Sequence, residues 1–178
     1  MLQGKRVRLT AIKEDDLPII TKWYENTDFL RLYDAVPAVP KTERSFKKWI
    51  EEDDDTNQEF RFAVRTQETG EIIGFIEIDG ILWNHRNAWL SIAIGNPSNW
   101  NQGYGKEALN LALDYCFKEL NLHRIQLTVF AYNERAIALY EKLGFKKEGN
   151  YREFLMRDGK TFDMILYGIL ENEWKKAE

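Results

Sequence analysis

The feature that most constrains this chain is a pair of closely spaced glycines, Gly103 and Gly105, between a predicted strand and a predicted helix. The strand covers residues 89–94, and the helix follows the glycines, with apolar residues at helical spacing from Ala108 to Cys116. Glycine lets the backbone approach a ligand closely, and the free N–H groups of a first helical turn point toward that ligand along the helix dipole. The pattern therefore predicts a cradle for a phosphate-bearing cofactor.

Two common phosphate-binding motifs do not account for these glycines. A P-loop requires Gly, four residues and then Gly-Lys-Ser/Thr, and the sequence lacks that pattern. The dinucleotide motif G-x-G-x-x-G is also unmet, because position 108 is Ala and no βαβ unit precedes the glycines. Taken alone, the two glycines also fit a tight turn that caps a helix.

A second segment, residues 131–145, favours the cofactor site over the simple turn. Asn133 is suited to the N-cap of a short helix and Gly144 to the position after its end. Helical spacing places on one face Asn133, Ala136, Ile137 and Tyr140. The preceding residues 124–130 alternate between apolar and polar side chains and predict a strand.

Together, the two segments resemble the GNAT superfamily of N-acetyltransferases, which transfer an acetyl group from acetyl-CoA to an amine. The pyrophosphate loop of that family reads Gln/Arg-x-x-Gly-x-Gly/Ala, and residues 100–105 match it except that Trp100 occupies the first position. Residues 133–145 match the family pattern Asn-x-x-Ala…Tyr-x-x-x-Gly-Phe in register. Trp100 and residues 151–170 are similar to the branch that acetylates ribosomal-protein N termini, whereas residues 81–88 are similar to spermidine N-acetyltransferases.

The resemblance implies the α/β (α+β) GNAT fold in one domain over residues 1–178, with a mixed central sheet of about seven strands flanked by helices on both faces. It also implies acetyl-CoA as cosubstrate, with the pantetheine arm paired along the strand that precedes the glycines. The residues expected to bind it are Ile92, Ala93, Ile94, Trp100, Asn101, Gln102, Gly103, Tyr104, Gly105, Lys106, Asn133, Ala136 and Tyr140.

The remaining patterns predict an alternation of strands and helices. Strands are expected at 6–10, 61–65, 71–79, 88–94, 124–130, 147–153 and 162–170. Helices are expected at 15–24, 43–53, after Gly105, between Asn133 and Gly144, and in a tail at 171–176. Residues 28–39 and 80–87 are expected to form loops.

Three residues are the candidates for catalysis. By the resemblance, Tyr140 lies near the thioester sulfur, and a phenol with a pKa of about 10 suits a general acid for a departing thiolate. The alternative for Tyr140 is a core aromatic residue with a hydrogen-bonded hydroxyl. Many relatives carry Glu as the base at the position where this chain has Trp89, so the candidate base here is Glu77. Ser91 is the candidate for orienting the amine or a water. The alternative is a chain of water molecules without a dedicated base.

The acceptor is expected to be a primary amine, with a polyamine or another small amine ranked ahead of a protein N terminus. Candidate acceptor residues are Tyr33, Asp34, Trp83 and His85. The acidic run 51–55 is either a solvated helix end or a surface that attracts polycations. A noncatalytic acyl-CoA-binding or sensor protein is the alternative from a different functional class.

Composition restricts the remaining possibilities. The net charge of −4 argues against direct nucleic-acid binding, and no apolar run approaches the ~20 residues of a membrane helix. The only cysteine, Cys116, excludes an internal disulfide and is expected in the core. These features favour a cytoplasmic protein with no membrane partner. No side-chain pattern has metal-ligand spacing, and a homodimer is possible.

Overall fold

The computed structural model describes residues 2–51 and 58–174. In these ranges the strands are β1 (Val7–Thr10), β2 (Phe60–Thr66), β3 (Ile72–Leu82), β4 (Asn87–Ile94), β5 (Arg124–Phe130), β6 (Lys146–Arg157) and β7 (Lys160–Leu170). They form one mixed sheet in the order β1-β2-β3-β4-β5-β7-β6. Neighbouring strands are antiparallel except β4 and β5, which run parallel.

Helices cover both faces of this sheet. The α-helices of the described residues are α1 (Leu17–Trp23), α2 (Thr27–Tyr33), α3 (Glu43–Glu51), α4 (Tyr104–Lys118) and α5 (Glu134–Lys142). Side chains alternate along a strand, so Phe75 packs under α1–α3, whereas its neighbour Ile76 packs in the cluster that contains α4 and α5. The predicted fold class, a mixed sheet of seven strands with helices on both faces, is confirmed.

The parallel pair β4–β5 opens a gap in the sheet. The two strands are paired only where they begin, Asn87–Trp89 against Arg124–Gln126. From Leu90 to Ile94, β4 keeps β3 as its partner on one side, but in the described part of the chain no residue of β5 pairs with it on the other. The backbone groups of β4 that face this gap are therefore available to a ligand.

Residues 28–39 are not all loop as predicted, because α2 covers Thr27–Tyr33. Asn26 caps this helix by accepting hydrogen bonds from the N–H groups of Asp28 and Phe29. With seven residues, the helix is too short to display an apolar period, and its buried residues Phe29 and Leu30 are adjacent in sequence. Its stability comes from packing on the sheet, which the local pattern does not reveal.

Other element boundaries also differ from the prediction. β3 extends through the expected loop to Leu82, which leaves a turn at residues 83–86, and β6 is longer than the predicted 147–153. In place of the predicted tail helix, residues 171–173 form a turn, and residues 175–178 lie outside the described part. Most of the acidic run also lies outside it, since Glu51 ends α3 and the description resumes at residue 58.

Among the described residues, no helix combines the length and the apolar character required to cross a membrane.

Candidate active site

A cavity of about 860 Å³ fills the gap between β4 and β5. On one face of the sheet it is bounded by α2, and on the other by the glycine loop, α4 and α5. Residues Leu90–Ile94 of β4 and Thr128–Phe130 of β5 form its two sides. The cavity therefore passes through the sheet, with one half on the glycine side and one half on the α2 side.

The glycine loop meets the requirements of a phosphate site. Gly103 is the N-cap of α4 and adopts the left-handed conformation, with φ of 83°, without a side-chain cap hydrogen bond. A Cβ on Gly105 would lie 3.5 Å from Leu139 Cδ2 and 3.8 Å from Ile94 Cγ1, so a side chain there would fill the space between β4 and α5. The first turn of α4 thus presents its N–H groups to an open cradle.

Trp100 links the glycine loop to both neighbouring elements. Its indole Nε1 donates to the carbonyl of Ile94, 2.7 Å away, at the end of β4. The guanidinium carbon of Arg135, in the first turn of α5, lies 3.7 Å from the centroid of the Trp100 ring. Burial lowers the pKa of Arg135, and no carboxylate in the described residues offsets that effect. Arg135 therefore offers a cation to an anionic ligand in the cavity.

Asn133 and Tyr140 line the cavity from α5. Asn133 Oδ1 accepts a hydrogen bond from the Ala136 N–H at 3.3 Å, which confirms its predicted role as N-cap. The Tyr140 ring packs against Phe145 and Tyr167 and is 7% exposed. Burial raises the pKa of Tyr140 to about 12, so its hydroxyl remains protonated at neutral pH.

The α2 side of the cavity carries a cluster of hydrogen bonds centred on Glu77. Tyr33 Oη donates to Glu77 Oε2 at 2.5 Å, and Ser91 Oγ donates to the same oxygen at 3.4 Å. Glu77 Oε1 accepts from Trp49 Nε1 at 3.1 Å and lies 3.4 Å from Arg61 Nε. Tyr33 and Ser91 line the cavity, whereas Glu77 lies behind them and contacts the cavity through their hydroxyls.

The Glu77 carboxylate influences the groups around it. Burial, as the main cause, and the charge of Glu77, as the second, raise the pKa of Tyr33 well above its usual range. The Tyr33 hydroxyl therefore stays protonated and donates its hydrogen bond to Glu77. Burial and the Glu77 charge also raise the pKa of Asp79, which the strand alternation predicts on the same face. The positive charge of Arg61 partly offsets this effect by lowering the pKa of Asp79.

With this geometry described, comparison with known proteins identifies the family. Residues 6–146 match the family model described as an acetyltransferase (GNAT) domain. The chain belongs to the GNAT acetyltransferase family. It is an acetyl-CoA-dependent N-acetyltransferase, as the resemblance in the sequence implies.

Individual relatives match over nearly the whole chain. A spermidine N(1)-acetyltransferase of Vibrio cholerae is 31% identical over 173 residues, covering 96% of both chains. The uncharacterised prophage-derived N-acetyltransferase YokL of Bacillus subtilis is 28% identical over 172 residues, covering 97% of this chain and 94% of that protein. The crystal structure of the Vibrio cholerae spermidine N-acetyltransferase in complex with CoA and spermine has a TM-score of 0.86 at 29% identity, covering 96% of this chain and 98% of that one.

Most of the residues predicted to bind acetyl-CoA in this GNAT enzyme line the cavity. These are Ile92, Ala93, Ile94, Trp100, Asn101, Gly103, Gly105, Lys106, Asn133, Ala136 and Tyr140. Gln102 and Tyr104 do not line it, because both lie against Arg6: its Nη1 donates to the Gln102 carbonyl, and its guanidinium stacks on the Tyr104 ring at 4.5 Å. Arg6 thus contacts the loop through the backbone of Gln102 and the side chain of Tyr104.

The predicted acceptor residues separate into two pairs. Tyr33 and Asp34 line the cavity. Trp83 and His85 do not, because they lie in the turn before β4, at the end of that strand opposite Ile94. At ~3.3 Å per residue, the eight residues of β4 separate this turn from the glycine loop by roughly 25 Å. The structure therefore does not bring Trp83 and His85 to the cavity.

The sequence patterns missed several cavity residues. They come from α2, β5, α5, β6 and β7, and include Phe29, Leu32, Thr128, Phe130, Arg135, Leu139, Phe154 and Met164. For Arg135 a signal was available, since it lies two residues after the N-cap Asn133, in the first turn of a helix that faces the cradle. The sequence carried no such signal for Phe29 and Phe154, because tertiary packing alone brings their elements to the gap.

Replacing Arg135 by Ala is expected to weaken acetyl-CoA binding by about 10-fold to 100-fold. One charge-assisted hydrogen bond contributes ~1.5–3 kcal/mol, and Arg135 is a partly exposed cation at the phosphate side of the cavity. Titration calorimetry with CoA measures the effect. Arg152→Ala, an exposed arginine on β6, is the matched control. An unchanged dissociation constant in Arg135→Ala would exclude a contact with the coenzyme.

Proposed function

We propose that this enzyme acetylates a primary amine of a small aliphatic polyamine, with spermidine as the representative acceptor, by direct transfer from acetyl-CoA in a ternary complex. The observation that carries the proposal is the lining of the α2 side of the cavity. There, an apolar wall that includes Phe29 and Leu32 is combined with the Asp34 carboxylate and the hydroxyls of Tyr33 and Ser91. A polyamine has the complementary chemistry, since methylene segments separate its cationic amines. The relatives named as spermidine acetyltransferases support the same class.

The acceptor amine must lose a proton before it can attack. An alkyl ammonium group has a pKa of about 10.4, so a base must remove its proton at neutral pH. We assign this role to Glu77, which acts through the Ser91 hydroxyl or through a water beside it, because its carboxylate lies 3.4 Å from Ser91 Oγ. Arg61 and Trp49 hold Glu77 Oε1, which leaves Oε2 directed toward Ser91 and Tyr33.

At the other side of the reaction centre, Tyr140 supplies the proton. Acetyl-CoA contributes an acetyl thioester, whose transfer releases a thiolate. Tyr140 lines the cavity, and its hydroxyl is protonated at neutral pH because burial raises its pKa to about 12. A proton donor on α5 and a base on β3 therefore lie on opposite sides of the gap, which is the arrangement that direct transfer requires.

The decisive experiment follows thiol release from acetyl-CoA with spermidine, spermine, simple diamines, amino sugars and short peptides with free N termini. We expect turnover with spermidine and spermine at kcat/KM values at least 10-fold above those for short peptides without lysine, since such a peptide lacks the second amine cation that Asp34 can pair with. A higher kcat/KM with a peptide would assign the enzyme to protein N termini and overturn the proposal.

Replacing Glu77 by Gln is expected to lower kcat/KM for the amine by about 10²-fold to 10⁴-fold, the usual contribution of a general base. Asp79→Asn is the matched control, since Asp79 lies on the same strand and face, but in the described residues it is Glu77 that is hydrogen-bonded to the cavity residues Tyr33 and Ser91. An unchanged kcat/KM for the amine in Glu77→Gln would remove Glu77 from the mechanism.

A further inference from the structure

The segment after α2 forms part of the acceptor wall, and among residues 34–39 the hydrophobic side chain packed against the core is that of the partly buried Ala38. Asp34 and Ala35 line the cavity, where the backbone turns from helical to extended, with φ −132° and ψ 150° at Asp34. The side chain of Val36 is 55% exposed and that of Val39 is 59% exposed, so burial of these residues contributes little. The position of this wall therefore depends on its hydrogen bonds.

A single arginine supplies most of those hydrogen bonds. Arg157 Nη2 lies 2.9, 3.2 and 3.3 Å from the carbonyl oxygens of Asp34, Ala35 and Val36, which share its two N–H groups. Arg157 is the last residue of β6, more than 120 residues away in sequence. An arginine fits this role because its planar, permanently charged guanidinium holds several acceptors in fixed directions, whereas a lysine ammonium is a compact, strongly hydrated point charge.

The turn that follows Arg157 reinforces the connection. Asp158 and Gly159 have φ of 52° and 72°, as the two central residues of a two-residue hairpin turn require. This turn directs Asp158 Oδ2 to Arg31 Nη2 of α2, at 2.5 Å. Tyr132 Oη also donates to the carbonyl of Arg31. The β6–β7 hairpin thus holds both α2 and the residues after it.

We propose that Arg157 is a positioning residue for the acceptor: it fixes Asp34 and Ala35, and with them the α2 side of the cavity, while leaving the coenzyme side unaffected. The inference rests on the proposed function, in which this side receives the amine. The hairpin contributes to the same wall directly, since Phe154 of β6 also lines the cavity. Binding of the amine is therefore coupled to the hairpin without any contact between Arg157 and the amine.

Steady-state kinetics with spermidine and acetyl-CoA test the proposal in Arg157→Ala and Arg157→Lys. We expect the KM for spermidine to rise about 10-fold or more in Arg157→Ala and less in Arg157→Lys, with the KM for acetyl-CoA unchanged. Arg152→Ala, on the same strand but exposed, should behave like the unmodified protein. Equal increases in both KM values, or an unchanged KM for spermidine, would overturn the proposal.

Hydrogen exchange separates this inference from the proposed function. In Arg157→Ala, amides at positions 27–36 should exchange faster than in Arg152→Ala, while those of the glycine loop at 99–106 should not change. If no amine supports turnover, the proposed function fails, and the exchange comparison alone decides whether Arg157 holds the wall. Unchanged exchange at positions 27–36 in both Arg157 variants would exclude that role.

Discussion

Replacing Tyr140 by Phe is expected to lower kcat by about 10²-fold to 10⁴-fold while leaving the affinity for CoA nearly unchanged. The change removes one oxygen and keeps the ring that packs against Phe145 and Tyr167. In the described residues no group is hydrogen-bonded to the Tyr140 hydroxyl, so its loss leaves no buried partner unsatisfied. The expected loss is therefore that of a proton donor. The rate of thiol release from acetyl-CoA measures kcat, and titration calorimetry with CoA measures the affinity separately.

The matched control for Tyr140 is Tyr115→Phe on α4. Tyr115 packs edge-on against Phe60 and Phe62, away from the cavity, and its replacement should leave kcat within about twofold. The pH profile provides a second criterion. Because burial raises the pKa of Tyr140 to about 12, the general acid stays protonated through the neutral range, and an alkaline limb near neutral pH cannot arise from it. Full activity in Tyr140→Phe would rule out the general-acid role.

Removing the Asp16 carboxylate is expected to destabilise the protein by about 3–5 kcal/mol. Arg65 Nη1 and Nη2 donate to the two Asp16 oxygens at 2.9 and 2.6 Å, and both residues are buried, with Asp16 4% and Arg65 9% exposed. The pair joins β2 to the start of α1. In Asp16→Ala the buried guanidinium loses its counterion, a larger cost than the loss of the bonds themselves.

Urea unfolding measures this loss as a lower midpoint at an unchanged m-value. The control is Glu14→Ala, which removes an exposed ion pair with Lys47, whose N–O distance is 3.3 Å and whose side chains are 70% and 49% exposed. It should change the free energy of unfolding by less than about 1 kcal/mol. The double variant Asp16→Leu with Arg65→Met should be more stable than Asp16→Ala. A loss below about 1 kcal/mol in Asp16→Ala would refute the role of the pair.

The coenzyme side of the site was predictable from sequence because local rules govern it. A left-handed Gly103, an Asn133 N-cap and Tyr140 on the same helical face each follow from residue type and spacing within one or two elements. The two predicted residues that do not line the cavity, Gln102 and Tyr104, both contact Arg6, which lies almost 100 residues away in sequence: Arg6 bonds the Gln102 carbonyl and lies over the Tyr104 ring. No local pattern encodes that contact.

The acceptor side was less predictable, because it is assembled from distant elements. The helix α2 has seven residues and shows no apolar period, yet it supplies Tyr33 to the cavity. Strand alternation predicts Glu77 and Asp79 on one face, but the register that pairs Glu77 directly with Ser91 comes only from the structure. Trp83 and His85 were assigned to the acceptor side from a local similarity, which gave no information on which end of β4 faces the cavity.

The divergence of β4 and β5 has a consequence for the order of events during turnover. Because the cavity passes through the sheet, the two substrates can enter from opposite faces, and neither has to leave before the other binds. Once both are in place, the amine meets the thioester at an effective concentration set by the width of the gap rather than by its concentration in solution. In the direct transfer proposed above, the unpaired stretch of β4 from Leu90 to Ile94 thus converts a second-order encounter into a step within a single complex.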